Sequence, residues 1–387
     1  MILRIAQHEI EKRLQEFPAV ALHGARQIGK TTLAREIQRQ VGGRYFDLED
    51  QRDQILLGDS HAFFSDHRGH LVVIDEAQRM PEIFPALRVA IDADRRPGRF
   101  LLLGSASPSL SRQASESLAG RLAIVELNPL VCSETEDPAM LSTLWLRGGF
   151  PLSYLAEREE QSMVWRKEYL RNFFERDLRM LGFDLAPERM RNFFAMLAHT
   201  HGQLWNGSQI ARSLGIGTTT ARRYLDTLAQ TYLVHAVVPY YANLGKRIRR
   251  APKVFVSDTG LLHALLDLRE KSDLMRHPVL GFSWEGFVLQ HLRAHLPFGW
   301  EVSFWRTAGG AEIDLLLLRS GLPSIAIEAK ANSTDPRPRR GFRQSCDDLK
   351  IQHRWIAYPG EDEFTLRGEM HVLPLPMLIQ RVREMVQ

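Results

Sequence analysis

Eight consecutive residues, Gly24, Ala25, Arg26, Gln27, Ile28, Gly29, Lys30 and Thr31, fit the pattern G-x-x-x-x-G-K-[ST] at every fixed position. Gly24 and Gly29 let the backbone wrap into a nest whose N–H groups point at phosphate oxygens. Lys30 adds a point charge for β- and γ-phosphates, and the Thr31 hydroxyl can ligate Mg²⁺. Before the loop, residues 19–22 (AVAL) make a short apolar run suited to a strand. After it, Thr32 opens a run to Ile37 with helical spacing, so a helix N-terminus adds its dipole toward the same anion. The chemistry implied is binding of ATP with Mg²⁺.

A second element completes that chemistry. Residues 71–74 (LVVI) are apolar and end in Asp75 and Glu76. This reads as a buried parallel strand delivering acids at its C-terminal edge, where ligand sites of α/β proteins form. Asp75 would hold the Mg²⁺ shell and Glu76 would polarise the attacking water. Residues 100–103 (FLLL) read as a further core strand, and Ser105 beyond it could sense the γ-phosphate. An ordinary loop serine would look the same.

A third group lies near the C-terminus. Two strand-like runs, AEIDLLLL (311–318) and SIAIEAK (324–330), flank Gly321-Leu322-Pro323. A hairpin centred on Gly321 puts Asp314 opposite Glu328, and opposed side chains lie about 5 Å apart at Cβ, close enough to share one divalent ion. Glu328 and Lys330 are two apart and share a face. This D…ExK arrangement is the signature of metal-dependent nucleases, in which the acids bind Mg²⁺ and the lysine orients or activates water. Glu285, opening an amphipathic helix in WEGFV (284–288), could supply another acid. Arg337, Arg339, Arg340 and Arg343 follow as a phosphate-facing loop would. Charges ending a solvated strand would produce the same pattern.

The elements that position these groups can be read in outline. Strand and helix patterns alternate to about residue 130, as in a parallel sheet covered by helices. Residues 145–199 are mostly helical, with Tyr154, Trp165, Tyr169, Phe173 and Phe174 as packing residues. Residues 203–258 read as a winged helix-turn-helix. Ser208 caps one helix, and a second carries Ala221, Tyr224, Leu225 and Leu228 inward with Arg222, Arg223 and Asp226 outward. Lys246, Arg247, Arg249 and Arg250 form a basic tip suited to nucleic-acid phosphates. Protein docking is the alternative use of such a module.

With 387 residues the chain has room for two or three domains. Its charged fraction of 25% and hydrophobic fraction of 44% are ordinary, and a net charge of +4 permits nucleic-acid binding without demanding it. Cys132 and Cys346 have no metal-ligand spacing, which suits a reducing cytoplasm. No apolar stretch approaches a membrane span, so no membrane partner is expected.

The order of these parts resembles a family of bacterial and archaeal AAA-type P-loop ATPases with a C-terminal domain of unknown function. The carrying motifs are GARQIGKTTLA (24–34), VVIDEAQ (72–78), LLLGSAS (101–107), SLAGR (117–121), KVFVSDTGLL (253–262), WEGFVLQHL (284–292), WRTAGGAEIDLLL (305–317) and IAIEAK (325–330). The resemblance implies an α/β fold. A P-loop parallel-sheet core would occupy 1–140, a helical linker 141–202, a winged helix 203–258 and a restriction-endonuclease-like domain 259–387. It also implies that Lys30, Thr31, Asp75 and Glu76 form the ATPase set, and that Arg121 acts on a γ-phosphate, across a homo-oligomer or after domain closure. Glu285, Asp314, Glu328 and Lys330 match its nuclease-like positions. The leading expectation is an ATP-driven protein acting on DNA. The competing one is a regulatory ATPase whose C-terminal domain binds a protein or nucleic acid without cleavage.

Overall fold

The computed structural model describes residues 2–104, 117–135, 140–241, 251–307 and 309–386. Two compact units emerge. The first holds Met1–Asn128 with Glu175–Leu185 and Gln230–Tyr232, and the second holds Pro129–Phe174, Ala186–Ala229 and Leu233–Gln387. The four segments expected from the sequence therefore group differently. The first unit stops short of residue 140, and the helical region divides between both.

The first unit is a five-stranded sheet in the order β2-β3-β4-β1-β5, all parallel. Strands β1 (Ala19–His23), β3 (Leu71–Asp75) and β4 (Phe100–Leu103) are buried throughout, as apolar runs covered on both faces must be. Strand β2 (Gly43–Asp47) lies at one edge and β5 (Leu122–Glu126) at the other, where Ile124 is exposed. Because β4 stands between β1 and β3, the loops that follow β1 and β3 leave the same edge one strand apart. Helices Lys30–Val41 and Ile83–Ala93 cover the sheet.

In the second unit, helix Pro187–His199 precedes strand β6 (Gln203–Leu204), helices Gly207–Ser213 and Thr218–Gln230, and strands β7 (Val234–Val237) and β8 (Lys253–Val256). The three strands make an antiparallel sheet, β6-β8-β7. Ala221, Tyr224, Leu225 and Leu228 are buried at the expected helical spacing. The first of the two helices begins earlier than expected. Asn206, not Ser208, is its cap, with its side-chain oxygen accepting from the Gln209 N–H at 3.1 Å. Lys246, Arg247, Arg249 and Arg250 lie outside the described residues.

The remainder is a six-stranded mixed sheet, β13-β14-β12-β11-β10-β9. Strands β9 (Trp300–Arg306), β10 (Glu312–Arg319) and β11 (Leu322–Ala329) are antiparallel. β12 (His353–Tyr358) and β14 (Met370–Pro374) continue in parallel, and β13 (Phe364–Leu366) closes the edge. The β10–β11 turn is tighter than expected. It centres between Ser320 (φ 50°) and Gly321 (φ 81°), both left-handed as a two-residue hairpin turn requires. Pairing starts at Arg319↔Leu322, shifts at Leu317/Leu318, and continues as Leu315↔Ile327.

Helix Leu280–His295 also departs from the amphipathic expectation, because every residue from Ser283 to Leu292 is buried. Several of its polar groups have partners, while Gln290 Oε1 and His291 Nε2 are buried without one among the described residues. Ser283 accepts from Trp145 Nε1 at 2.9 Å and lies 2.9 Å from His263 Nε2, and His291 Nδ1 lies 2.7 Å from the Phe287 carbonyl.

Candidate functional site

The phosphate loop runs from His23, the last residue of β1, to the start of helix Lys30–Val41. Gly29 caps that helix at φ 101°, and a Cβ on Gly24 would come within 2.6 Å of the Leu127 carbonyl oxygen. Gln27 also takes a left-handed φ of 59°, while Ala25 and Ile28 face the interior. Arg4, which the sequence did not single out, braces the loop by donating to the Ile28 carbonyl at 3.1 Å and the Asn128 carbonyl at 2.6 Å. The Lys30 ammonium is folded into the loop, donating to the carbonyls of Gly24 (3.0 Å) and Ala25 (2.8 Å). Burial lowers its pKa to about 8, partly offset by the carboxylates of Glu76 and Asp75.

Across the intervening strand, the Thr31 hydroxyl donates to Asp75 Oδ2 at 2.7 Å. The Tyr45 hydroxyl donates to the same oxygen at 2.5 Å, and the backbone N–H of Glu76 to Oδ1 at 2.9 Å. Burial and the Asp75 carboxylate together push the Tyr45 pKa up, so its proton stays in place. The Thr31 hydroxyl and the Asp75 carboxylate are oxygen donors of the kind Mg²⁺ takes, converging beside the phosphate loop. Glu76 sits at φ 52°, ψ 42°, a costly conformation for a non-glycine residue, and Gln78 donates to its carboxylate. Thr32 is exposed on the first turn of the helix. Ser105 lies outside the described residues.

One further residue was placed by the structure, not by pattern. Asp177 ends a π-helical turn, Phe173–Asp177, and accepts from Arg26 of the phosphate loop at 2.6 Å. Nothing in the local sequence marks a residue so distant in the chain as a loop partner. Arg121 is not at the site of its own chain. The parallel register runs from Ala19↔Leu122 to His23↔Glu126, so Arg121 precedes β5 at one end of the sheet while the phosphate loop leaves β1 at the other. Five residues of strand, roughly 16 Å, separate those ends. Its guanidinium is engaged by Asp92 at 2.8 and 2.9 Å. Domain closure cannot shorten a distance spanned by a sheet, so own-chain action on the nucleotide is corrected.

The C-terminal acids come together differently from a bare metal site. From Leu315↔Ile327 the register places Asp314 opposite Glu328, and Asp314 Oδ2 accepts from the Ala329 N–H at 3.1 Å. Both carboxylates are buried, and burial followed by the facing Asp314 charge raises the pKa of Glu328. Arg339 reaches Asp314 at 3.2 Å and Glu328 at 3.9 Å, and Lys330 meets Glu328 at 2.7 Å. Glu328 Oε2 is buried without a hydrogen-bond partner. Glu285 is paired with Lys253, the first residue of β8, at 2.8 Å, and that ammonium also meets Glu312 at 2.6 Å. Burial holds Glu285 up to about 8, the Lys253 attraction offsetting it only in part. Among the described residues, no group of three or more His, Cys, Asp or Glu side chains is arranged to hold a metal ion.

Outside this cluster, Arg222 pairs with Asp226 at 2.9 Å on the exposed face of its helix, and Arg223 is exposed beside it. No helix among the described residues is long and apolar enough to cross a membrane.

Three family models match the chain: an AAA domain over residues 16–136, a domain of unknown function (DUF8612) over 139–272, and another (DUF4143) over 280–378. The chain is 44% identical over 376 residues to the uncharacterized protein Rv2008c of Mycobacterium tuberculosis, covering 97% of this chain and 84% of the relative. The same figures hold for the uncharacterized protein Mb2031c of Mycobacterium bovis. The chain belongs to the family of these two proteins, and its first unit carries an AAA-type P-loop ATPase domain. Among solved structures, the Walker-type ATPase PABY2304 of Pyrococcus abyssi is 15% identical with a TM-score of 0.49, over 69% of this chain and 96% of that one. The RuvB Holliday junction branch migration motor of Thermotoga maritima is 19% identical with a TM-score of 0.29, over 60% and 89%.

Replacing Lys253 strands the buried Glu285 carboxylate and leaves Glu312 only Arg306 at 3.8 Å, so Lys253→Met should cost about 3–5 kcal/mol in urea unfolding. Glu285 holds its proton more tightly folded (about 8) than unfolded (4.5), so the folded state binds more protons between those values and stability falls as pH rises through them. The Lys253→Met defect should accordingly be larger at about pH 9 than at about pH 5. A pH-independent defect would mean that lost packing, not stranded charge, is responsible.

Proposed function

We propose that the protein is a Mg²⁺-dependent ATP hydrolase that acts on nucleic acid. The observation carrying this reading is the 2.7 Å contact between Thr31 and Asp75, which sets a hydroxyl and a carboxylate beside the phosphate nest. Those two groups would hold the ion, and the ion would neutralise charge developing on the β- and γ-phosphate oxygens. Lys30 would leave the carbonyls of Gly24 and Ala25 for the phosphates, whose charge raises a pKa that burial, and to a lesser degree Arg26, has lowered. Glu76 would orient the attacking water, its carboxylate steadied by Gln78. Arg121 would meet phosphate only on a second copy of the chain.

The nucleic-acid part rests on the second unit. A strand, two helices and two further strands follow one another within residues 203–258, which supports reading that segment as a winged helix. The mixed sheet with Asp314, Glu328 and Lys330 grouped on β10 and β11 supports a restriction-endonuclease-like fold. Arg222, Arg223 and the basic residues 246–250 are the proposed phosphate contacts. One observation favours the second reading, a regulatory ATPase whose C-terminal domain binds without cutting: each of Glu285, Glu312, Asp314 and Glu328 is engaged by a basic side chain.

Nucleotide titration and a phosphate-release assay separate the ATPase roles. Lys30→Ala should lose ATP affinity by tenfold or more, whereas Glu76→Gln should keep affinity and lose turnover by about 10²–10⁴-fold. Equal ATP affinity in wild type and Lys30→Ala would end the phosphate-loop reading.

Binding to a fluorescent duplex should weaken steeply with salt, and Arg222→Ala/Arg223→Ala should flatten that dependence by about one to two phosphate contacts. An unchanged salt slope in that variant would move this module to protein docking.

A further inference from the structure

The acid cluster contains a cation that belongs to none of its own strands. Lys253 opens β8, within the three-stranded sheet, yet its ammonium lies between Glu285 of helix Leu280–His295 and Glu312 of β10. Its side chain is only 5% exposed, and it stands 5.3 Å over the ring of Phe304 on β9. The other arm of the same hairpin is also fastened to the mixed sheet. Past β7, Pro239 bridges Phe304, Ser303 Oγ donates to the Val238 carbonyl at 2.6 Å, and the Tyr240 N–H donates to the Phe304 carbonyl at 2.7 Å. Both arms therefore converge on β9, and one of them delivers a positive charge to the acids.

Charge balance explains what this does. Glu285, Glu312, Asp314 and Glu328 carry four potential negative charges in a largely buried volume, with Lys253, Arg306, Lys330 and Arg339 as their cations. Lys253 serves the Glu285/Glu312 side as its buried cation, with the half-exposed Arg306 3.8 Å from Glu312, while Lys330 and Arg339 serve the Asp314/Glu328 side. An ammonium occupying the Glu285 carboxylate leaves that acid with no charge to offer a second cation, and like charges close together in a low-dielectric volume repel strongly. A divalent ion at Asp314 and Glu328 would thus meet Lys253 nearby and forgo Glu285 as a ligand. Meanwhile Glu328 Oε2, buried and unpartnered, retains a lone pair for an ion.

We propose that Lys253 is the resident counter-ion of this cluster, and that a divalent cation binds Asp314 and Glu328 strongly only when the Lys253 ammonium is withdrawn from Glu285 and Glu312. The proposal rests on the metal-site reading of the second unit and adds a control to it. It reconciles a nuclease-like acid set with acids that are all engaged. It also assigns the control to the hairpin that links the two sheets of this unit, so that whatever moves β8 at its first residue governs the site.

Mn²⁺ binding to the full chain, followed by calorimetry and by the Mn²⁺ electron paramagnetic resonance signal, tests this in an Asp75→Asn background that removes the nucleotide-site ion. Lys253→Gln keeps a donor for Glu285 and is the primary variant, with Lys253→Met beside it and Lys253→Arg as the charge-retaining control. Either neutral variant should bind one Mn²⁺ at least about tenfold more tightly than wild type. That ion should be lost on adding Glu328→Gln, and Lys253→Arg should behave as wild type. Equal Mn²⁺ affinity in wild type and Lys253→Gln, abolished in both by Glu328→Gln, would overturn the counter-ion role and leave the metal site standing. Absence of a Glu328-dependent ion from every folded variant would overturn the metal site, and the counter-ion role with it.

Discussion

The cost of burying charge governs how the second unit is built. Helix Leu280–His295 has no solvent face from Ser283 to Leu292, yet that stretch carries Ser283, Glu285, Gln290 and His291. Each such group must find a partner or forfeit several kcal/mol. Glu285 finds Lys253, and that one ion pair ties the three-stranded sheet to the helix and, through Glu312, to the six-stranded sheet. Strand β8 cannot slide by a residue without taking the ammonium from both carboxylates. The register of one sheet is thus coupled to the electrostatics of the other.

The first unit obeys a different constraint, that of direction. In an all-parallel sheet every strand ends at the same edge, so the loop after β1 and the acids ending β3 share that edge although β4 keeps the strands apart. Thr31 and Asp75 meet across the gap, while Tyr45, from the neighbouring edge strand, holds the shared oxygen from the far side. The same rule sends Arg121 to the other end. Arg26 and Asp177 add a contact from a segment that returns to this unit late in the chain.

Much of this was legible because some chemistry needs residues at fixed local spacing. A phosphate nest is built from consecutive residues, so residues 24–31 declare it unaided. A buried parallel strand is continuously apolar, so β1, β3 and β4 read plainly. Lys253, Arg339, Tyr45 and Asp177 were not legible, because each acts through a partner brought close only by tertiary folding. Lys253 sits in an unremarkable strand, and Arg339 read as a loop cation facing phosphate, not as the group spanning Asp314 and Glu328. The helix buried from Ser283 to Leu292 misled for a related reason. Charged residues normally mark a wet face, and here they mark internal partners.

The irregularity in the β10–β11 hairpin has a further meaning for the acids. A two-residue turn at Ser320 and Gly321 pairs residues whose numbers sum to 641, as in Arg319↔Leu322, and continuing that pairing would set Asp314 against Ile327. Glu328 would then project from the opposite side of the sheet. One additional residue in β11, beside Pro323 where a strand lacks an N–H to offer, changes the sum to 642 and brings Glu328 round to Asp314. The pair is therefore a matter of parity. Removing a single residue near Ser324 would separate the two acids while leaving both in place in the sequence, and restoring one anywhere between the turn and Ile325 would reunite them.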